Sequence, residues 1–239
     1  MSDDGGGAVN SNPLATVTAF QLADSFLPVG TYTASYGLEQ FVESDVVDDV
    51  ESLQTVLEDY LTQQIGPCDT VVLARAYDAA AEGDLNGVIR VDRRQESVTL
   101  TAEFRESSTK SGGQLLSLMA DTESDEFLQT YRERVDDGDT PGNYAAVFGA
   151  VAARTEIPRE SACLAQGYGF VVGLLGAAQR LMRIGHTDTQ RILHEVKPVI
   201  VDVVEECAPR PLDDVQSFAP MVDVMSMQHE RAERRLFVS

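Results

Sequence analysis

Basic residues are scarce in this sequence. Its 239 residues include 18 Lys and Arg against 39 Asp and Glu, so the formal charge is 18 − 39 = −21. A nucleic-acid binder that works by counterion release needs a basic face, which so few cations do not supply. Docking on anionic membrane surfaces is disfavoured for the same reason. Lysine itself occurs only at Lys110 and Lys197, leaving 16 arginines. The acid excess runs along the whole chain instead of gathering in a tail. That pattern is expected of a surface adapted to molar salt, where a screening length of ~3 Å mutes self-repulsion.

Cysteine and histidine are also sparse. Cys68, Cys163 and Cys207 are odd in number and form no CxxC, so they read as reduced core residues of a cytoplasmic protein and not as a disulfide frame. His186, His194 and His229 are too widely spaced for a dedicated metal cage. The positions three before them hold Arg183, Arg191 and Ser226, which excludes the Glu-x-x-His pairs of di-iron bundles. No P-loop, GxGxxG, GxSxG or HExxH pattern occurs. No catalytic, cofactor-binding or metal-ligating residue is therefore assigned, and a binding or scaffolding role is favoured. Residues 1–12 carry neither a basic nor an apolar targeting segment and read as a disordered leader.

What the chain does have is apolar content in helical register. Hydrophobic residues make up 43% and charged residues 24%, which excludes intrinsic disorder and suffices for one sizeable core. Leu53, Val56, Leu57, Tyr60 and Leu61 follow an i, i+3, i+4, i+7, i+8 stripe. Gly66-Pro67 is expected to stop that helix, and another is expected over 69–81. A short helix from Asp84, a long one over 96–120 and an amphipathic one over 125–134 follow. The run 136–142 is a loop, with Pro141 suited to the first turn of the next helix. Ser161 to Gln179 is uncharged for 19 residues. Its glycines and the arginines that follow favour a central helix of a bundle over a membrane span, with Gly169 and Gly173 permitting close helix approach. Thr187 to Gln190 fits a capping box, Pro198 is expected to kink the next helix, and a last helix is expected over 213–231. No run alternates with period two, so the expected class is all-α, a single-domain helical bundle.

Two segments ask for more than packing. In 21–39, Ser25, Tyr32, Ser35 and Tyr36 cluster between the breakers Pro28, Gly30 and Gly37, either as a functional loop or as a packed corner. In 229–239, three Arg and two Glu give 3 − 2 = +1 on a chain of −21, and the run ends on Leu236-Phe237-Val238. Such an apolar end needs cover, from its own body or from a partner.

These segments carry a resemblance. LADSFLPVGTYTASYGLE resembles the N-terminal signature LxDSxxPxGxxxHSxGLE of the urease accessory protein UreF family. Glu103-x-Arg105-x-x-Ser108-x-x-x-Gly112-x-x-Leu115-Leu116 is similar to its ExRxxSxxxGxxLL, Ile184 to Gln190 to its LGQTxGQ, and HERAERRLFVS to its HExxxxRLFxS end. The four matches fall in the family's order. Thr31, Ala34, His186 and Thr189 depart from it.

The resemblance implies an all-helical, UreF-like bundle of roughly nine to eleven helices, usually a homodimer and not an enzyme. Its partners would be UreD (also called UreH), the GTPase UreG and apo-urease. Nickel and GTP would be handled by the assembled complex. By motif position, Tyr32, His229, Glu230, Arg235, Leu236 and Phe237 would serve partner recognition, while Ser25, Pro28, Gly30, Ser35 and Gly37 would shape the N-terminal loop. The resulting division is a leader over 1–12, a helical body over 13–228 and a docking tail over 229–239. Two other classes compete: a helical acid–base enzyme using the region of Tyr32, Asp24 and His229, and a plain helical oligomerisation module.

Overall fold

A computed structural model describes residues 12–24, 27–29 and 36–230. Among these, eleven α-helices and no strand occur: α1 (Pro13–Ala23), α2 (Leu38–Glu43), α3 (Val50–Tyr60), α4 (Val71–Ala81), α5 (Leu85–Val98), α6 (Ala102–Thr122), α7 (Glu126–Asp136), α8 (Tyr144–Arg154), α9 (Arg159–Leu181), α10 (His186–Cys207) and α11 (Pro220–Glu230). The all-α class expected from periodicity is the one observed.

Small residues set the centre. In α8, every residue from Ala145 to Ala152 is buried, and the helix lies along α4, whose Val71 to Ala74 are equally enclosed. The approach is so close that a Cβ on Gly149 would stand 2.3 Å from the carbonyl oxygen of Leu73. Larger side chains fill the space around this pair, with Tyr60, Tyr131, Phe41 and Phe148 fully buried. One apolar core results.

Gly66-Pro67 does not stop the helix after α3. The chain continues through a π-helical stretch, Leu61–Thr70, directly into α4. Proline has no N–H and its ring crowds the carbonyl four residues back, so a widened turn absorbs it without ending the rod. Gly66 is needed there as well, since a Cβ would meet Val203 Cγ1 at 2.6 Å.

Other boundaries moved. The expected 96–120 helix is two helices, broken at 99–101, where Arg105 Nη1 donates to the carbonyls of Thr99 at 2.7 Å and Leu100 at 2.8 Å. Pro141 lies in the α7–α8 loop, not in the first turn of α8, which begins at Tyr144. Asp92 of α5, wholly buried, organises that loop by accepting from Gly142 N at 2.7 Å, Asn143 N at 2.8 Å and Thr140 Oγ1 at 2.5 Å. The start of α10 is two residues earlier than a Thr187 cap requires: Gly185 is the cap residue, and Asp188 Oδ2 accepts from Gly185 N at 3.3 Å. The last expected helix is a short 3-10 turn, Leu212–Asp214, followed by α11.

The uncharged stretch is the interior of α9. It is the one helix among the described residues long and apolar enough to cross a membrane, yet more than half of that stretch is buried inside the fold. Gly169 does not mediate close helix packing, because a Cβ there would meet nothing within 4 Å.

Candidate functional site

Three sequence motifs that are far apart in the chain meet at one buried histidine. His229 Nε2 lies 3.0 Å from Glu39 Oε2, and Nδ1 lies 3.0 Å from both carboxylate oxygens of Glu103. The Ser226 hydroxyl donates to Glu103 Oε2 at 3.4 Å. His229 is 1% exposed, Glu39 2% and Glu103 4%. With a carboxylate on each ring nitrogen, the imidazole donates twice, which is the protonated form. The Glu103 hydrogen bond is the main influence that raises the His229 pKa, with Glu39 adding to it; burial opposes both and is outweighed.

Each arm of this clasp is positioned by local rules. The first arm is α2, which starts at Gly37 in the left-handed region, φ +80°, where a Cβ would stand 3.1 Å from Ser226 N. Glycine serves both the turn and the close approach of α2 to α11. Tyr36, just before it, is held through its carbonyl by the Tyr60 hydroxyl and has its ring against Phe104 and Phe170. The second arm is α6. Glu103 sits in its first turn, Arg105 ties down the preceding break, and Ser108 Oγ accepts from Tyr144 N at 3.1 Å. Gly112 admits the carbonyl of Gly142, which a Cβ would approach to 2.1 Å. The Glu-x-Arg-x-x-Ser-x-x-x-Gly spacing is thus a run of helix contacts, each with its own neighbour.

The third arm is α11, which has two faces. Val222, Met225, Ser226 and His229 form the buried i, i+3, i+4, i+7 stripe, while Met221, Val224 and Met227 are exposed, with Phe218 exposed just before the helix. A second exposed apolar row lies on α1, at Leu14, Val17 and Phe20, the first of them 72% exposed. Exposed apolar rows at helical spacing are what a docking surface requires.

Of the residues expected to serve partner recognition, His229 is the core of the clasp and not a surface contact. Glu230 is the last residue of α11. Tyr32, Arg235, Leu236 and Phe237 lie outside the described residues, as do Ser25, Gly30 and Ser35. Pro28 is exposed, and Gly37 forms the α2 turn. Glu39, Glu103 and Ser226 were not singled out as site residues from sequence. The signal available was that Glu39 closes one motif, Glu103 opens another and His229 opens the tail. In the remaining motif, Gln179 Nε2 reaches Thr189 Oγ1 at 3.0 Å and His186 Nδ1 at 3.2 Å, so the two departures from the family pattern share one anchor. Among the described residues, no three His, Cys, Asp or Glu side chains are arranged to hold a metal ion.

Comparison with known proteins points to one family. The UreF family model matches residues 47–197. The urease accessory protein UreF of Trichodesmium erythraeum (strain IMS101) is 32% identical over 231 residues, covering 97% of this chain and all of that protein. Urease accessory protein UreF 1 of Brucella melitensis biotype 1 is 33% identical over 221 residues, covering 92% of this chain and 90% of its own. The UreF of Bacillus sp. (strain TB-90) is 29% identical over 223 residues, covering 93% of this chain and 98% of its own. With a family model over most of the chain and relatives aligned along nearly its whole length, the chain belongs to the UreF family of urease accessory proteins.

Proposed function

We propose that this protein is a non-catalytic scaffold of urease maturation. It acts in the cytoplasm as a homodimer, binds UreD (UreH) and the GTPase UreG, and supports GTP-dependent nickel insertion into apo-urease. Family membership supports the role beside urease. The observation that carries the docking reading is the two-faced α11. Its inner face is clasped by Glu39 and Glu103, so its outer face, Met221, Val224 and Met227, is held in a fixed orientation. A rigid apolar row costs less entropy to bury than a flexible one.

In this reading, the helix leads into the weakly basic tail that completes the surface. Arg235 supplies a bidentate contact to a partner carboxylate, and Phe237 fills a desolvated pocket. His229 contributes by holding α11 and not by touching the partner. The acid–base alternative is disfavoured, because both ring nitrogens of His229 are engaged by carboxylates and the ring is closed to solvent.

The test is co-purification in high salt with UreD, UreG and the urease subunits. Val224→Glu on the outer face, or removal of residues 231–239, is expected to abolish capture of UreD while far-UV circular dichroism stays helical. Full retention of UreD by both variants overturns the docking assignment. Self-association without capture of any of the three proteins by the wild type would favour the plain oligomerisation module.

A further inference from the structure

Among the described residues, α11 packs on α2 and α6 through the buried Val222, Met225, Ser226 and His229. Its side chains reach Glu103 from Ser226 and His229, and Glu39 from His229. Eleven residues are too few for a helix to be stable in water by itself, so α11 keeps its shape only while it is docked.

The clasp is balanced in one protonation state. With His229 as imidazolium, each ring N–H has a carboxylate, and the three groups together carry 1 − 2 = −1. Without that proton the imidazole keeps a single N–H, so one carboxylate faces a ring lone pair and the enclosed charge becomes −2. The neighbouring titratable groups deepen this dependence. On α11 itself, Asp223 is 6% exposed, and burial pushes its carboxyl up. At the end of α3, the Tyr60 phenol is pushed well above its ordinary range, by burial first and then by Glu103, Tyr36 and Asp223. On α2, Glu43 is exposed. On α6, Arg105 is turned to the carbonyls of Thr99 and Leu100, and Glu106 and Lys110 are exposed. The His229 proton supplies the positive charge that both buried carboxylates share.

We propose that Glu39, His229 and Glu103 form a pH-operated latch: as imidazolium, His229 fastens α11 to α2 and α6, and loss of its proton frees α11 together with the face of Met221, Val224 and Met227. The latch is closed below the ordinary histidine value of 6.5 and opens as pH rises through the raised value. Its consequence for partner capture rests on the docking face proposed for α11; the latch itself does not.

The test is hydrogen–deuterium exchange of the full chain in high salt, from about pH 6 to about pH 9. The buried helix α8 in the same sample serves as the reference that cancels the intrinsic pH dependence of exchange. Protection of α11 relative to α8 is expected to fall at least tenfold over that range, since one proton changes an opening constant by up to ~10-fold per pH unit. In His229→Gln the relative protection is expected to be low already at pH 6 and level with pH. In Glu39→Gln, which leaves Glu103 on the ring, the fall is expected to come earlier by roughly half a pH unit or more, because one of the two groups favouring the imidazolium has lost its charge. Glu39→Gln carries the test if His229→Gln does not fold. A level ratio in the wild type, a pH-dependent fall retained in His229→Gln, or an unmoved midpoint in Glu39→Gln would overturn the latch. UreD capture over the same pH range separates the two readings: opening of α11 with constant capture leaves the latch standing and removes the docking role of α11.

Discussion

At the scale of single residues, His229 concentrates the most consequence. Its imidazolium joins helices that are distant in sequence, and both of its carboxylate partners are themselves buried. Removing one partner from such a set leaves uncompensated charge in the interior, so His229→Ala is expected to cost about 3–5 kcal/mol. The pH dependence follows from the direction of its shift. The folded pKa lies above the unfolded value of 6.5. The histidine's contribution is therefore fully present below that value and is lost as pH rises through the folded pKa. Urea unfolding from pH 6 upward is expected to show falling stability that flattens in His229→Gln. A slope unchanged in the variant would remove His229 as its source. From sequence, His229 reads as a partner-recognition residue; in the fold it is enclosed between Glu39 and Glu103. A histidine next to a tail reads as a surface contact, and only the packing of α2 and α6 around it reveals a clasp.

At the scale of elements, glycines decide where helices touch, and sequence spacing does not say which glycine does so. Gly112 and Gly113 are neighbours in α6. In the fold, Gly112 faces the Gly142 carbonyl at a distance that admits no Cβ, while Gly113 faces open space. Opposite signs follow. Gly112→Ala is expected to destabilise by roughly 1–3 kcal/mol through overpacking. Gly113→Ala is expected to stabilise by about 0.5–1 kcal/mol by removing backbone entropy from a helix interior. Thermal unfolding of the two variants side by side decides it, and equal shifts would refute the contact. The same reasoning explains Gly66-Pro67. As a dipeptide it is a stop signal, yet neighbouring helices hold the chain in a π-helical turn and the rod runs through.

At the scale of the whole molecule, the charge of −21 gains a structural meaning. Several of the few arginines are committed to internal ties. Arg75 donates to the Ala208 carbonyl at 3.0 Å, Arg94 to that of Val215 at 3.2 Å, and Arg105 to those of Thr99 and Leu100. Half-exposed pairs such as Arg159 with Asp78 add under ~1 kcal/mol each. Surface acid is thus left largely uncompensated, and added salt is what relieves it. Dialysis from molar to low salt is expected to unfold the protein reversibly, read by loss of the helical circular dichroism signal. Full helicity at low salt would show that the acid excess is no salt adaptation.

The sequence by itself determined the all-α class, the apolar stripes that become the core and the family, because period and motif spacing are local properties of the chain. It also determined that Cys68, Cys163 and Cys207 are unpaired and buried. Only the tertiary structure decided that Glu39, Glu103 and His229 are one group, that Asp92 commands the α7–α8 loop, and that Gln95 reaches Asp69. The physical reason is the same in each case. A buried polar side chain takes its role from what stands opposite it, and the partners here come from 26 to 190 residues away in the chain.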